Sequence, residues 1–94
     1  MAGFTTRVEL HAAKAEDYEK LHEAMEAEGF ERTITSDDGV TYDLPTAEYV
    51  YSGDVTRKEV LTKAKAAAAK TGKKYGALVT QSKGWTWHSL KETK

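Results

Sequence analysis

The stretch DVTRKEVLTKAKAAAAKTG, residues 54–72, constrains the fold of this chain more than any other. Thr56 and Glu59 are spaced as a capping box, Val55 and Val60 as a hydrophobic staple, and Gly72 supplies a stop. Between these signals Val60, Leu61, Ala64, Ala67 and Ala68 fall on one helical stripe, flanked by Lys58, Lys63, Lys65 and Lys70. A stripe built largely of alanine is buried only where a sheet or another helix approaches closely. Strand-like residues lie on both sides, so this helix must connect strands.

The remaining segments supply those strands. TTRVELH (5–11) alternates, with Val8 and Leu10 on one face and Arg7, Glu9 and His11 on the other, as a half-buried strand does. KAEDYEKLHEAMEAEGF (14–30) places Tyr18, Leu21 and Met25 at helical spacing with four glutamates turned outward, and Gly29 sits where a left-handed residue ends a helix. FERTITSDDGVTYDLPTAEYVYSG (30–53) predicts a hairpin turning at SDDG. Pro45 interrupts its returning strand and leaves AEYVY (47–51) to carry the pairing. KKYGALVTQSKGWTWHSL (73–90) predicts a strand, a tight turn around Gly84 and a second short strand, with Val79 facing Trp87 and Gln81 facing Trp85. On this reading Trp87 is the more buried tryptophan and Trp85 the more exposed.

Read in order, the elements predict a single α+β domain over residues 1–94. Its expected fold is a ferredoxin-like βαββαβ two-layer sandwich with a C-terminal β-hairpin extension. Both helices would cover one face of an antiparallel sheet and leave the other open. Residues 1–55 carry 4 Lys/Arg and 13 Asp/Glu, a balance of −9, whereas residues 56–94 carry 10 and 2, a balance of +8. Such a division reads either as a basic binding surface or as two neighbouring helices that compensate each other.

Several function classes are excluded at this stage. The chain has no cysteine, which removes thiol catalysis, disulfides and thiolate metal sites and points to a cytoplasmic location. No run of about 18 apolar residues provides a membrane span, and MAGFTTRVELH lacks the blocks of a signal peptide. Phosphate-binding glycine loops and the nucleophile-elbow motif are missing, so no cofactor is expected. Asp37 and Asp38 adjoin in a turn, but without a third ligand at a recognisable spacing no metal site is expected.

The candidate catalytic residues are His11 and Arg7. On the open face His11 could serve as a general base while Arg7 holds a phosphate, as metal-independent RNA cleavage requires. The same residues equally make the polar stripe of an uncovered sheet. The candidate binding residues are Tyr49, Tyr51, Trp85, Lys73 and Lys74. If Val50 points to the helices, both tyrosines point to the open face, where aromatics stack bases in RNA-recognition domains or fill a protein or homodimer interface. His22 and His88 read as structural.

The stretches TTRVELH, EGF, ERTITSDDGVTYDLPTAEYVYSGD, TRKEVL and AKAAAAKTGKKYGALVT resemble a family of small enterobacterial and prophage proteins that form a domain of unknown function. That family is distantly similar to the GhoS-type endoribonuclease antitoxins. The resemblance runs along nearly the whole chain. It implies a ferredoxin-like fold and a cytosolic protein of mobile-element origin that acts on RNA or on another macromolecule. Cas2 proteins, which share that fold, carry an aspartate near the end of the first strand, where this chain has Glu9-Leu10-His11. The departure speaks against Cas2-type metal chemistry.

Three readings follow. The first is a small phage or prophage binding protein that engages RNA or a host protein through its open sheet face. The second is a GhoS-like endoribonuclease using His11 and Arg7. The third is a phage inhibitor of a bacterial defence enzyme, with the acidic first helix imitating nucleic acid.

Overall fold

The computed structural model describes residues 2–88 and 90–93. Seven elements follow one another: β1 (Ala2–Leu10), α1 (Ala15–Ala27), β2 (Thr33–Thr35), β3 (Thr41–Asp43), β4 (Glu48–Gly53), α2 (Arg57–Ala69) and β5 (Tyr75–Ser82). β1 is central in an antiparallel sheet of order β4-β1-β5, and β2 and β3 form a separate two-stranded sheet. The fold is therefore α+β. Its main sheet has three strands, not the four of the expected sandwich. Among the described residues, the segment expected to be the fourth pairs with β4 through a single bridge, between Glu31 and Val50.

The proline accounts for that split. Pro45 has no N–H to give a ladder, and Ala47 adopts a left-handed φ of 70°. The returning strand breaks here, leaving β3 with the hairpin and β4 with the main sheet. Around SDDG the hairpin turns as expected, with Gly39 at φ 85° and the Gly39 N–H donating to the Ser36 carbonyl at 2.9 Å.

Both helices have readable ends. In α2 the Thr56 hydroxyl accepts from the Glu59 N–H at 3.2 Å, and Glu59 accepts from the Thr56 N–H at 3.3 Å. α1 closes in a Schellman motif: Gly29 N–H donates to Glu26, Phe30 N–H donates to Met25, and Gly29 takes φ 96°. Its start is less evident from sequence, since the Lys14 side chain cannot accept a hydrogen bond as a capping residue does. Asp17, inside the first turn, does so instead, accepting the Lys14 N–H at 2.8 Å.

The core lies between the helices and one face of the main sheet. Phe4, Val8 and Leu10 of β1 meet Leu21 and Met25 of α1 and the Val60, Ala64, Ala67, Ala68 stripe of α2. Because Phe4 pairs with Tyr51 and Thr6 with Tyr49, the two tyrosines project to this inner face. Val50, not the tyrosines, projects to the other side, so the expected placement of Tyr49 and Tyr51 on the open face is corrected. The acidic α1 and lysine-rich α2 pack together, which fits the compensating reading of the charge division. Among the described residues no helix is long and apolar enough to cross a membrane.

Tyr49 is 0% exposed, and its hydroxyl lies 2.6 Å from His22 Nδ1. Burial, then the Arg32 charge, hold the His22 pKa below its ordinary value of 6.5. The unfolded chain thus takes up this proton at higher pH than the folded one. The contribution is complete above about pH 6.5 and is lost as pH falls through the window below it. Urea titrations should show stability declining from pH 7 toward 5, with a shallower decline in His22→Gln. Equal slopes would rule out His22 as a source.

The C-terminal segment departs most from expectation. Residues 84–88 form no strand and do not pair back on β5, so the predicted hairpin extension is absent. After a turn in which the Ser82 hydroxyl accepts the Gly84 N–H at 3.1 Å, the chain crosses the open face of the main sheet. It then reaches the β2–β3 hairpin. There Asp43 N–H donates to the Lys91 carbonyl at 2.8 Å and Thr93 N–H to the Thr41 carbonyl at 2.9 Å.

Candidate binding cleft

This crossing makes the site. Trp85 lies over Gly3, and its indole Nε1 donates to Thr5 Oγ1 at 2.7 Å. Trp87 continues to the hairpin and meets the Tyr42 ring edge-on, with centroids 5.5 Å apart. The expected order of burial is observed: Trp85 is 41% exposed and Trp87 is the more buried. Their partners are not Gln81 and Val79, however, but Thr5 and Tyr42.

Between the tryptophan segment and the SDDG turn runs a cleft of about 640 Å³, lined by Trp85, Trp87, Tyr42, Ser36, Asp37 and Asp38 among others. The Ser36 hydroxyl donates to the Asp38 carboxylate and also holds the turn through the Val40 N–H. That hydrogen bond lowers the Asp38 pKa, so the carboxylate stays charged well into mild acid. No lysine or arginine lines the cleft among the described residues. Aromatic faces beside two carboxylates attract a cation by ring quadrupole and by charge, and repel a phosphate. Beneath the crossing segment lies a second, apolar cavity of about 170 Å³, walled by Val50, Leu44, Ile34 and Leu90 among others.

The other predicted residues lie outside this cleft. Arg7 and His11 do share a shallow depression on the uncovered part of the sheet, with Glu9, Gly76 and Leu78. Glu48 stands 3.6 Å from the Arg7 guanidinium and Glu9 stands 4.0 Å from His11 Nδ1. A phosphate would have to displace Glu48 from Arg7. Tyr51 is half-buried against Phe30, with Lys63 placed 5.9 Å over its ring. Lys73 is 3.9 Å from Asp17, and Lys74 is exposed at the start of β5. Neither lysine, nor either tyrosine, joins Trp85. Among the described residues no group of three or more His, Cys, Asp or Glu is placed to hold a metal ion.

Sequence reasoning missed Trp87, Tyr42, Asp37 and Asp38 as a group. Each was visible, but the expected hairpin kept the tryptophans on β5 and away from the SDDG turn. Comparison with known proteins adds nothing to this geometry: no family model matches the chain, and no curated protein matches it.

Proposed function

We propose that this chain is a small binding protein that engages a partner protein through the open side of its sheet. The cleft takes a lysine- or arginine-bearing segment of that partner. The observation that carries the reading is the lining: two tryptophans, Tyr42 and two aspartates, with no cation among the described residues. This favours protein over RNA, the alternative that exposed aromatics alone would leave. The buried Tyr49 and the half-buried Tyr51 offer bases no platform, and around Arg7 the carboxylates of Glu9 and Glu48 outnumber the guanidinium. We read the element order as ferredoxin-like, with the second strand reduced to the Glu31–Val50 bridge.

The test uses the two indole N–H signals of the labelled protein, titrated with an arginine hexapeptide and with an oligouridine. Both signals should shift with the peptide and stay in place with the RNA. Asp37→Asn combined with Asp38→Asn should weaken the peptide about tenfold, as two exposed ion pairs of up to about 1 kcal/mol each allow. Indoles moved by RNA and unmoved by peptide would overturn the reading.

A GhoS-like endoribonuclease is the second reading, favoured by one observation, the shared depression of His11 and Arg7. RNA cleavage by the purified protein that survives in His11→Ala would remove it.

A further inference from the structure

β5 is an edge strand of eight residues, paired with β1 on one side and, among the described residues, with nothing on the other. The opposite edge of the sheet is bridged at Val50. There Glu31 N–H donates to the Val50 carbonyl at 2.8 Å and Val50 N–H donates back at 2.9 Å. The direction of the free groups on β5 follows from one bond. His11 N–H donates to the Lys74 carbonyl at 2.8 Å, so Lys74 turns its backbone toward β1. Antiparallel alternation then turns Gly76, Leu78 and Thr80 the same way, and leaves the N–H and C=O groups of Tyr75, Ala77, Val79 and Gln81 aimed outward.

Sheet edges are normally guarded by proline, by charge, by a bulge or by shortness. YGALVTQS has no proline, no charged residue and eight residues in register. At its middle Leu78 stands on the open face with 66% of its surface exposed.

We propose that β5 pairs antiparallel with β5 of a second copy about a two-fold axis at Leu78, joining two three-stranded sheets into one of six. The outward parity allows this register. Tyr75 meets the partner's Gln81, and Ala77 meets the partner's Val79, forming roughly eight backbone hydrogen bonds. Leu78 then faces the partner's Leu78 in a non-hydrogen-bonded pair, where side chains approach most closely. A second copy fits better than an unrelated strand for two reasons. The strand is uncharged, so self-pairing sets no like charges opposite each other within it. The dyad also covers each exposed leucine with its own equivalent, as an isologous interface requires. The opposing forces are the lysine-rich α2, which two copies would bring to the same side of the joined sheet, and Lys73, which this register sets opposite Lys83 of the partner subunit just beyond the strand ends. The interface uses the outward backbone of β5 and Leu78, none of which lines the aromatic cleft, and does not depend on it.

Sedimentation velocity of the full chain, from about 5 to 500 µM in about 0.3 M salt to screen the α2 charges, tests the pairing. The wild type should be a reversible dimer. Leu78→Lys and Leu78→Glu should each sediment as folded monomers, because Leu78 is exposed in the single chain, with circular dichroism confirming the fold. An equimolar mixture of the two should recover a dimer. In the wild-type dimer the amides of Ala77 and Val79 should exchange more slowly than in Leu78→Lys. A chain that stays monomeric at 500 µM, a dimer indifferent to both substitutions, or two folded variants that fail to associate when mixed would each overturn the proposal.

Discussion

Replacing Tyr49 with alanine should cost about 3–5 kcal/mol, most of the stability that a domain of this size commonly has. Tyr49 is fully buried beneath the helices. Its ring is edge-on to Phe30, with centroids 6.3 Å apart, and its hydroxyl meets His22 Nδ1 at 2.6 Å. Truncation therefore removes a large apolar volume and strands the imidazole. Tyr49→Phe keeps the ring and loses only the hydrogen bond, about 0.5–1.5 kcal/mol. Trp85→Ala should cost about 2–3 kcal/mol, since a 41% exposed side chain has less burial to lose. Urea unfolding of the three variants measures the order directly. A Tyr49→Ala protein as stable as the wild type but deficient in ligand binding would put this tyrosine on the wrong face of the sheet.

That face was the hardest thing to read from the sequence, for a physical reason. In β1 the alternation is unambiguous, because Arg7 and Glu9 mark the outer face and leave Phe4, Thr6, Val8 and Leu10 to be buried. In EYVYSG Tyr49 and Tyr51 share one face while the apolar Val50 stands between Glu48 and Ser52 on the other, and a shift of one residue exchanges the faces. The structure explains why an apolar residue stands on the polar face. Tyr49 and Tyr51 lie under the helices, while Val50 on the other side walls the small cavity beneath the crossing tryptophan segment. At Val50 β4 is covered on both sides, while Ser52 beyond it is exposed, and an apolar residue on the outer face blurs the alternation. By contrast, the ends of α2 and the end of α1 were legible because their signals are local: Thr56 with Glu59, and Gly29. The cleft depends on contacts 40 to 80 positions apart, such as Trp85 with Thr5, that no local spacing encodes.

Gly3 is one of those unreadable positions, and it gives the second large effect. A Cβ placed on Gly3 would fall 2.6 Å from Cη2 of Trp85, too close for any real contact. Gly3 needs no unusual backbone, and valine suits a central strand, so local propensity alone would make Gly3→Val favourable. The clash should reverse that sign. We expect a net loss of about 1–3 kcal/mol, typical of overpacking, together with rupture of the Trp85–Thr5 hydrogen bond. The displaced indole should emit at longer wavelength, and the cleft, having lost one wall, should bind the arginine hexapeptide at least tenfold more weakly. Gly76 supplies the matched control. It lies on the same sheet face, opposite Glu9, and a Cβ there meets nothing within 4 Å. Gly76→Val should therefore be neutral or stabilising by up to about 1 kcal/mol, with unchanged fluorescence and binding. Equal behaviour of the two valine variants would mean that Trp85 does not rest on Gly3, and the cleft built on that contact would fall with it.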